Sequence, residues 1–170
     1  MPQRTPSRSV DVFVEIPKGS RAKYELDRAT GRIRLDRVLF ASVHYPADYG
    51  FITDTMSGDG DELDALVVVE EPTFPGCIVP ARPIGTLLMR DEKGQDEKIL
   101  AVPVGDPRFD EVRALDHLAP HWLREIETFF ATYKALEGEA VEVAGWRDAE
   151  TAWKLIDASR VGARDASVSR

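Results

Sequence analysis

Val10, Val12, Val14 and Ile16 alternate with Asp11, Phe13 and Glu15, the period of two that turns one face of a strand inward and the other outward. Pro17-Lys18-Gly19 ends that strand. Residues from Lys23 to Leu26 and from Arg32 to Leu35 predict a hairpin across Asp27-Arg28-Ala29-Thr30-Gly31, and a further extended piece follows from Val38 to Tyr45. Strands are also predicted at Ala65 to Glu70, Ile78 to Met89 and Ile99 to Val104. So many short strands ahead of any helix point to a closed or nearly closed antiparallel barrel. Pro120 suits a first helical turn, and Leu118, Trp122, Leu123, Ile126, Phe129, Phe130, Tyr133 and Leu136 then recur at spacings of three and four. After a short extended piece from Val141 to Val143, Asp148 predicts the cap of a second helix whose inner side carries Ala149, Ala152, Trp153 and Ile156.

The chain has 170 residues, 43% of them hydrophobic, enough for one domain with a real core. The expected division is a loose arm over residues 1–9, a single catalytic barrel domain over 10–160 and a tail over 161–170. A net charge of −8 tells against a nucleic-acid surface, which needs clustered Lys and Arg. Cys77 is the sole cysteine, so an intramolecular disulfide and a cysteine-built metal site are both excluded. The first nine residues lack the apolar segment of a signal peptide, and no run approaches membrane-spanning length. The expected location is the cytoplasm, with no membrane partner.

Two acidic stretches carry the candidate chemistry. Asp59, Asp61, Glu62 and Asp64 place four carboxylates in six positions ahead of the apolar run Ala65 to Val69, and Asp91, Glu92, Asp96 and Glu97 crowd a second, turn-like stretch. Such crowding is repulsive unless cations intervene, and hard oxygen donors suit Mg²⁺ or Mn²⁺. A calcium loop of the EF-hand type fails on this segment, because the glycine it needs at its sixth position is Asp64 and a strand pattern follows where a helix is required. Lys23, Arg37, Lys98 and Lys134 are scattered cations, and Tyr45 and Tyr49 bracket the turn Pro46-Ala47-Asp48; together these could hold a phosphate. Taken singly, each cation also reads as an ordinary surface charge and each tyrosine as core packing.

With these residues in view, the chain resembles a family I soluble inorganic pyrophosphatase of the bacterial type. The resemblance rests on Asp59-Gly60-Asp61-Glu62-Leu63-Asp64-Ala65, with Glu15-Ile16-Pro17, Lys23-Tyr24-Glu25, Tyr45-Pro46-Ala47-Asp48-Tyr49-Gly50, Asp91-Glu92, Asp96-Glu97-Lys98 and Tyr133-Lys134, in order over residues 10 to 158. It implies a mainly β fold, a five-stranded closed barrel of the oligonucleotide-binding type with flanking helices. It also implies an inorganic diphosphatase, a phosphoanhydride hydrolase that converts pyrophosphate to two orthophosphates with a metal-activated water, and a homohexamer.

By resemblance, Glu25, Asp59, Asp64, Asp91 and Asp96 are metal ligands or neighbours. Asp61 accepts the nucleophile's proton, Lys23, Arg37, Tyr49, Lys98, Tyr133 and Lys134 bind phosphate, and Glu15 and Tyr45 support the cavity. The implied cofactor is several Mg²⁺ ions, with Mn²⁺ or Zn²⁺ substituting and Ca²⁺ inhibiting. Glu62 stands where many members carry proline, which leaves the stiffness of that turn in question. Thr128 and Thr132 stand where some members carry histidines at a subunit contact. The alternatives are a metal-dependent hydrolase of nucleotides or short polyphosphates, for which no Gly-rich nucleotide loop is present, and an oligonucleotide-binding protein, which the charge opposes.

Overall fold

The structure, a computed structural model, describes residues 8–58 and 60–161. Its strands are β1 (Val10–Ile16), β2 (Ala22–Asp27), β3 (Arg32–Val38), β4 (Asp48–Ile52), β5 (Asp64–Val67), β6 (Ile78–Asp91), β7 (Gly94–Pro103) and β8 (Glu142–Asp148); the helices are α1 (Pro120–Thr132) and α2 (Ala149–Ser159). The mainly β character with flanking helices agrees with the sequence. The five-stranded closed barrel does not.

Six strands form the main sheet, in the order β1-β4-β5-β7-β6-β8, and β2 and β3 make a separate two-stranded sheet. β1 also pairs with β6 from Val10 against Ala81 to Phe13 against Ile78, so the sheet is strongly curled. β6 nevertheless carries β8 as well, and β8 leaves the sheet with a free edge. Nor is the sheet purely antiparallel, because β5 and β7 run parallel. These departures share a cause: they depend on pairings between strands remote in sequence, which the period-two pattern of each strand does not specify.

Locally the expectations hold in several places and fail in others. Asp148 caps α2, its Oδ1 accepting from the Thr151 backbone N–H at 2.9 Å, and the hairpin of β2 and β3 forms across residues 28–31. The extended piece expected through Tyr45 is absent, since β3 ends at Val38 and the chain bends irregularly to residue 47. The second acidic stretch is more regular than a turn: β6 and β7 form a long hairpin closed by Glu92 and Lys93, with Asp91 opposite Gly94. A bulge interrupts it between Pro83 and Gly85, where proline lacks the N–H a regular ladder would use.

β5 and β7 send alternate residues to two cores. Val12, Val14, Ala65, Val67, Ile99 and Ala101 are buried on one face with Ala152 and Ile156 of α2. Leu66, Val68, Leu87, Leu100 and Val102 are buried on the other with Ile126, Phe129 and Phe130 of α1. Gly50 sits where β4 crosses β1, and a Cβ there would overlap the Phe13 carbonyl; only glycine lets the two backbones approach. Asp48, fully buried, holds the approach to β4 by accepting from the Lys18 N–H at 2.8 Å and from the Thr73 N–H and hydroxyl at 3.1 and 2.6 Å. Arg8, within the expected N-terminal arm, pairs with Asp157 at 2.8 Å and lies over the Trp153 ring. No helix among the described residues is long and apolar enough to cross a membrane.

Candidate active site

The core that α1 covers opens at one end into a cavity of about 590 Å³. The alternation of β7 builds its floor. Asp96 and Lys98 are two residues apart and therefore face the same side, and the parallel register places Asp64 of β5 beside Lys98. The Lys98 ammonium donates to Asp64 Oδ2 at 2.6 Å and to the Tyr49 hydroxyl at 2.9 Å, and lies 2.8 Å from Asp96 Oδ2. The rings of Tyr49 and Phe130 flank it at 5.4 and 5.6 Å. The Lys98 side chain is only 4% exposed. Burial by itself would lower its pKa, but Tyr49, Asp64 and Asp96 outweigh burial and hold the ammonium well above the usual lysine range.

The β2–β3 hairpin supplies a second wall. Lys23 and Arg37 are register partners. Asp36 lies between their heads, 3.0 Å from Lys23 Nζ and 2.6 Å from Arg37 Nη1, and the Lys23 hydrogen bond leads in lowering the Asp36 carboxyl pKa. Arg37 Nε is 2.6 Å from Glu137 Oε1 without the alignment of a hydrogen bond, while Nη2 donates to Glu137 Oε2 at 3.4 Å. Glu25 lies 3.9 Å from Lys23 Nζ. Glu15 reaches from β1 and accepts the Leu26 N–H at 2.8 Å, which pins β2 to the main sheet. Burial raises the Glu15 carboxyl pKa. At the end of α1, Tyr133 stacks on Phe129, and Lys134 pairs with Glu139 at 3.3 Å.

Twelve of the residues singled out in the sequence line this one cavity: Glu15, Lys23, Glu25, Arg37, Tyr49, Asp61, Asp64, Asp91, Asp96, Lys98, Tyr133 and Lys134. Asp59 lies outside the described residues. Tyr45 does not reach the cavity; it is buried behind Tyr49, with ring centroids 5.4 Å apart, and packs on Phe129. Arg28, Glu62, Glu92, Lys93, Glu137 and Glu139 also line the cavity. Glu62 and Glu92 belong to the two acidic stretches, whereas Arg28, Lys93, Glu137 and Glu139 are not among the candidates read from the sequence. The flanking of Arg28 by a turn and of Glu137 by Gly138 was the only available signal, and it indicates exposure rather than convergence.

Among the described residues, no three His, Cys, Asp or Glu side chains stand close enough to enclose an ion by themselves; Asp64 and Asp96 share Lys98 instead. The donor set still fits hard divalent cations. Ten carboxylates and six Lys or Arg side chains line the cavity. Burial raises the Asp96 carboxyl pKa, and the Asp64 and Asp91 carboxylates push the same way against Lys98. Bound cations would relieve that repulsion.

A polar cleft that opposes a surplus of carboxylates with fixed cations suits a metal-dependent hydrolase of a small phosphorylated anion. The sequence profile of the family described as inorganic pyrophosphatase matches residues 12–162. An inorganic pyrophosphatase of Methanosarcina mazei is 52% identical over 149 residues, 88% of each chain. One of Streptomyces coelicolor is 56% identical over 137 residues, 80% of this chain and 84% of that one. The crystal structure of inorganic pyrophosphatase from Thermus thermophilus superposes with a TM-score of 0.87 at 43% identity, covering 92% of this chain and 91% of the other. The chain belongs to the inorganic pyrophosphatase family, as a family I soluble member, and its reaction is the metal-dependent hydrolysis of pyrophosphate to orthophosphate.

Proposed function

We propose that the cavity between β5, β7, the β2–β3 hairpin and the end of α1 is where pyrophosphate is cleaved, with Mg²⁺ as the working cation. The observation that supports this most is the convergence on one cleft of twelve residues from seven strands, the acidic turn and the end of α1. Asp59, Asp64, Asp91 and Asp96 would hold the cations, with Glu25 a neighbour through water. Divalent cations held there would neutralise the substrate and lower the pKa of a bound water. Asp61 takes the proton of the attacking water. Its turn is shaped by Gly60 at φ +88°, and the Asp61 carbonyl accepts from the Ser57 N–H at 2.6 Å and hydroxyl at 3.1 Å. Lys23, Arg37, Tyr49, Lys98, Tyr133 and Lys134 donate to phosphate oxygens and stabilise the charge moving onto the leaving phosphate. Lys98 also keeps Asp64 and Asp96 apart from one another, Glu15 fixes the hairpin, and Tyr45 backs the Tyr49 ring.

Every phosphate-facing Lys and Arg already carries an internal carboxylate, so substrate and cations must exchange with these ion pairs as a unit. That requirement favours a small, highly charged substrate over a nucleotide, whose base would add area without a matching surface in so polar a cleft. Phosphate release should be at least about a hundredfold faster in kcat/KM for pyrophosphate than for ATP or tripolyphosphate, roughly 3 kcal/mol in the transition state; comparable values across the three would overturn the assignment of substrate size.

The protein is further proposed to work in the cytoplasm as a homohexamer, with residues 10–160 as the catalytic unit and no nucleic-acid or membrane partner. α1 supports assembly: Ile126 and Phe130 are buried in the core, while Trp122, Thr128, Phe129 and Thr132 border a second, mainly apolar hollow. Light scattering at neutral pH should give six chain masses; a single chain mass with and without Mg²⁺ would refute it.

A further inference from the structure

The rim of the cavity is crossed by an ion pair that the reaction scheme above does not use. Arg28, in the turn between β2 and β3, pairs with Glu62, in the acidic turn that leads into β5. Both side chains line the cavity. The Arg28 guanidinium lies over the Phe51 ring, 4.7 Å from its centroid, and Phe51 is itself stacked on Phe13 at 5.0 Å. An exposed ion pair alone contributes little. Here the cation rests on an aromatic face that is buried from below and only 7% exposed, and such a platform restricts the guanidinium to fewer orientations. Glu62 is the better covered partner, 26% exposed against 57% for Arg28. It also stands in the wall between the main cavity and a smaller cleft of about 320 Å³.

The connection matters because of what each segment carries. The β2–β3 sheet, separate from the main one, bears Lys23, Glu25 and Arg37. The acidic turn bears Asp61 one residue before Glu62, and Asp64 two residues after it. On the far side of the hairpin, Glu15 bonds the Leu26 N–H at 2.8 Å; on the near side, Arg28 and Glu62 join the hairpin to the acidic turn. We propose that Arg28 and Glu62 are positioning residues, a bridge over the mouth of the cleft that sets the acidic turn, and Asp61 within it, at a fixed distance from the phosphate-binding hairpin. The inference rests on the assignment of Asp61 as proton acceptor. Displacing a proton acceptor by a fraction of an ångström reduces the rate of the chemical step more than it weakens binding.

The test is a double-mutant cycle on the whole protein with saturating Mg²⁺, following phosphate release from pyrophosphate. Arg28→Met and Glu62→Gln should each lower kcat about fivefold, equivalent to about 1 kcal/mol, with KM changed less than twofold. The double variant should be no slower than either single one, because both remove the same bridge, and Arg28→Lys should retain most of the rate. Multiplying losses in the double variant, a rise in KM at unchanged kcat, or unaltered kinetics would each overturn the proposal. In an Asp61→Asn background the Arg28→Met change should have no further effect on kcat; another fivefold loss there would show that the bridge does not act through Asp61. Wild-type turnover by Asp61→Asn alone would remove the proton-acceptor assignment, an outcome the Arg28–Glu62 cycle cannot itself produce, so the two failures are distinguishable.

Discussion

Treated with a strong chelator and dialysed, the protein should release no measurable phosphate from pyrophosphate, and Mg²⁺ should restore turnover. The reason is the sign of the cavity. Ten carboxylates and six Lys or Arg side chains line it, and those cations are largely engaged: Lys98 with Asp64 and Asp96, Arg37 with Glu137 and Asp36, Lys134 with Glu139. A bare polyanion entering such a site meets repulsion at close range, where each unit charge pair at 4 Å is worth about 4 kcal/mol at the effective dielectric of a protein surface. Mn²⁺ or Zn²⁺ should support partial turnover, since both accept compact oxygen coordination. Ca²⁺ should compete with Mg²⁺ and inhibit, because it is larger and tolerates loose, irregular coordination. Full activity in metal-stripped protein, or a rise in turnover when Ca²⁺ is added at fixed Mg²⁺, would refute this account.

Asp61→Asn should lower kcat by about a hundredfold or more, within the range usual for loss of a positioned proton acceptor, while KM moves by only a few fold. Asparagine keeps the size of the side chain and one oxygen, so the turn at Gly60 and the bonds from Ser57 to the Asp61 carbonyl are preserved. What disappears is the basic oxygen. Steady-state kinetics over a range of Mg²⁺ decide the matter. If added Mg²⁺ restored the rate, Asp61 would be a metal ligand and not the proton acceptor.

How far the sequence spoke depended on the distance over which each feature is decided. β1, the β2–β3 hairpin and the Asp148 cap of α2 follow from residues within a few positions of one another, and they stand as expected; α1 forms too, but ends at Thr132 and leaves Leu136 exposed. β4 was hidden because Tyr45 to Gly50 reads as a rigid turn; its residues become a strand through pairing with β1 on one side and β5 on the other. The start of β7 was hidden by its charges, which look like a solvated turn until β6 is laid beside them. The same limit applies to closure and strand count: β8 is longer than the extended piece Val141 to Val143 that the sequence indicates, and the parallel β5–β7 pair had no local signature. Cavity-lining residues were legible where a motif carried them. Arg28, Glu137 and Glu139 were not, since nothing in their neighbourhood distinguishes a charge that turns into a cleft from one that turns into water.

The alternation along β7 links catalytic assembly to folding fidelity. Asp96 and Lys98 face the cavity while Ile99 and Ala101 fill the core beneath α2, so a hairpin zipped one residue out of step would exchange the two sets. It would carry an ammonium into an oily layer with no carboxylate to meet it, and turn isoleucine toward water. Such a molecule has no gentle intermediate form: the error that spoils the chemistry also makes the chain unfit to pack. Proofreading of the hairpin is thus built into the cavity-lining residues themselves, and a chain that folds at all arrives with Lys98 already in place.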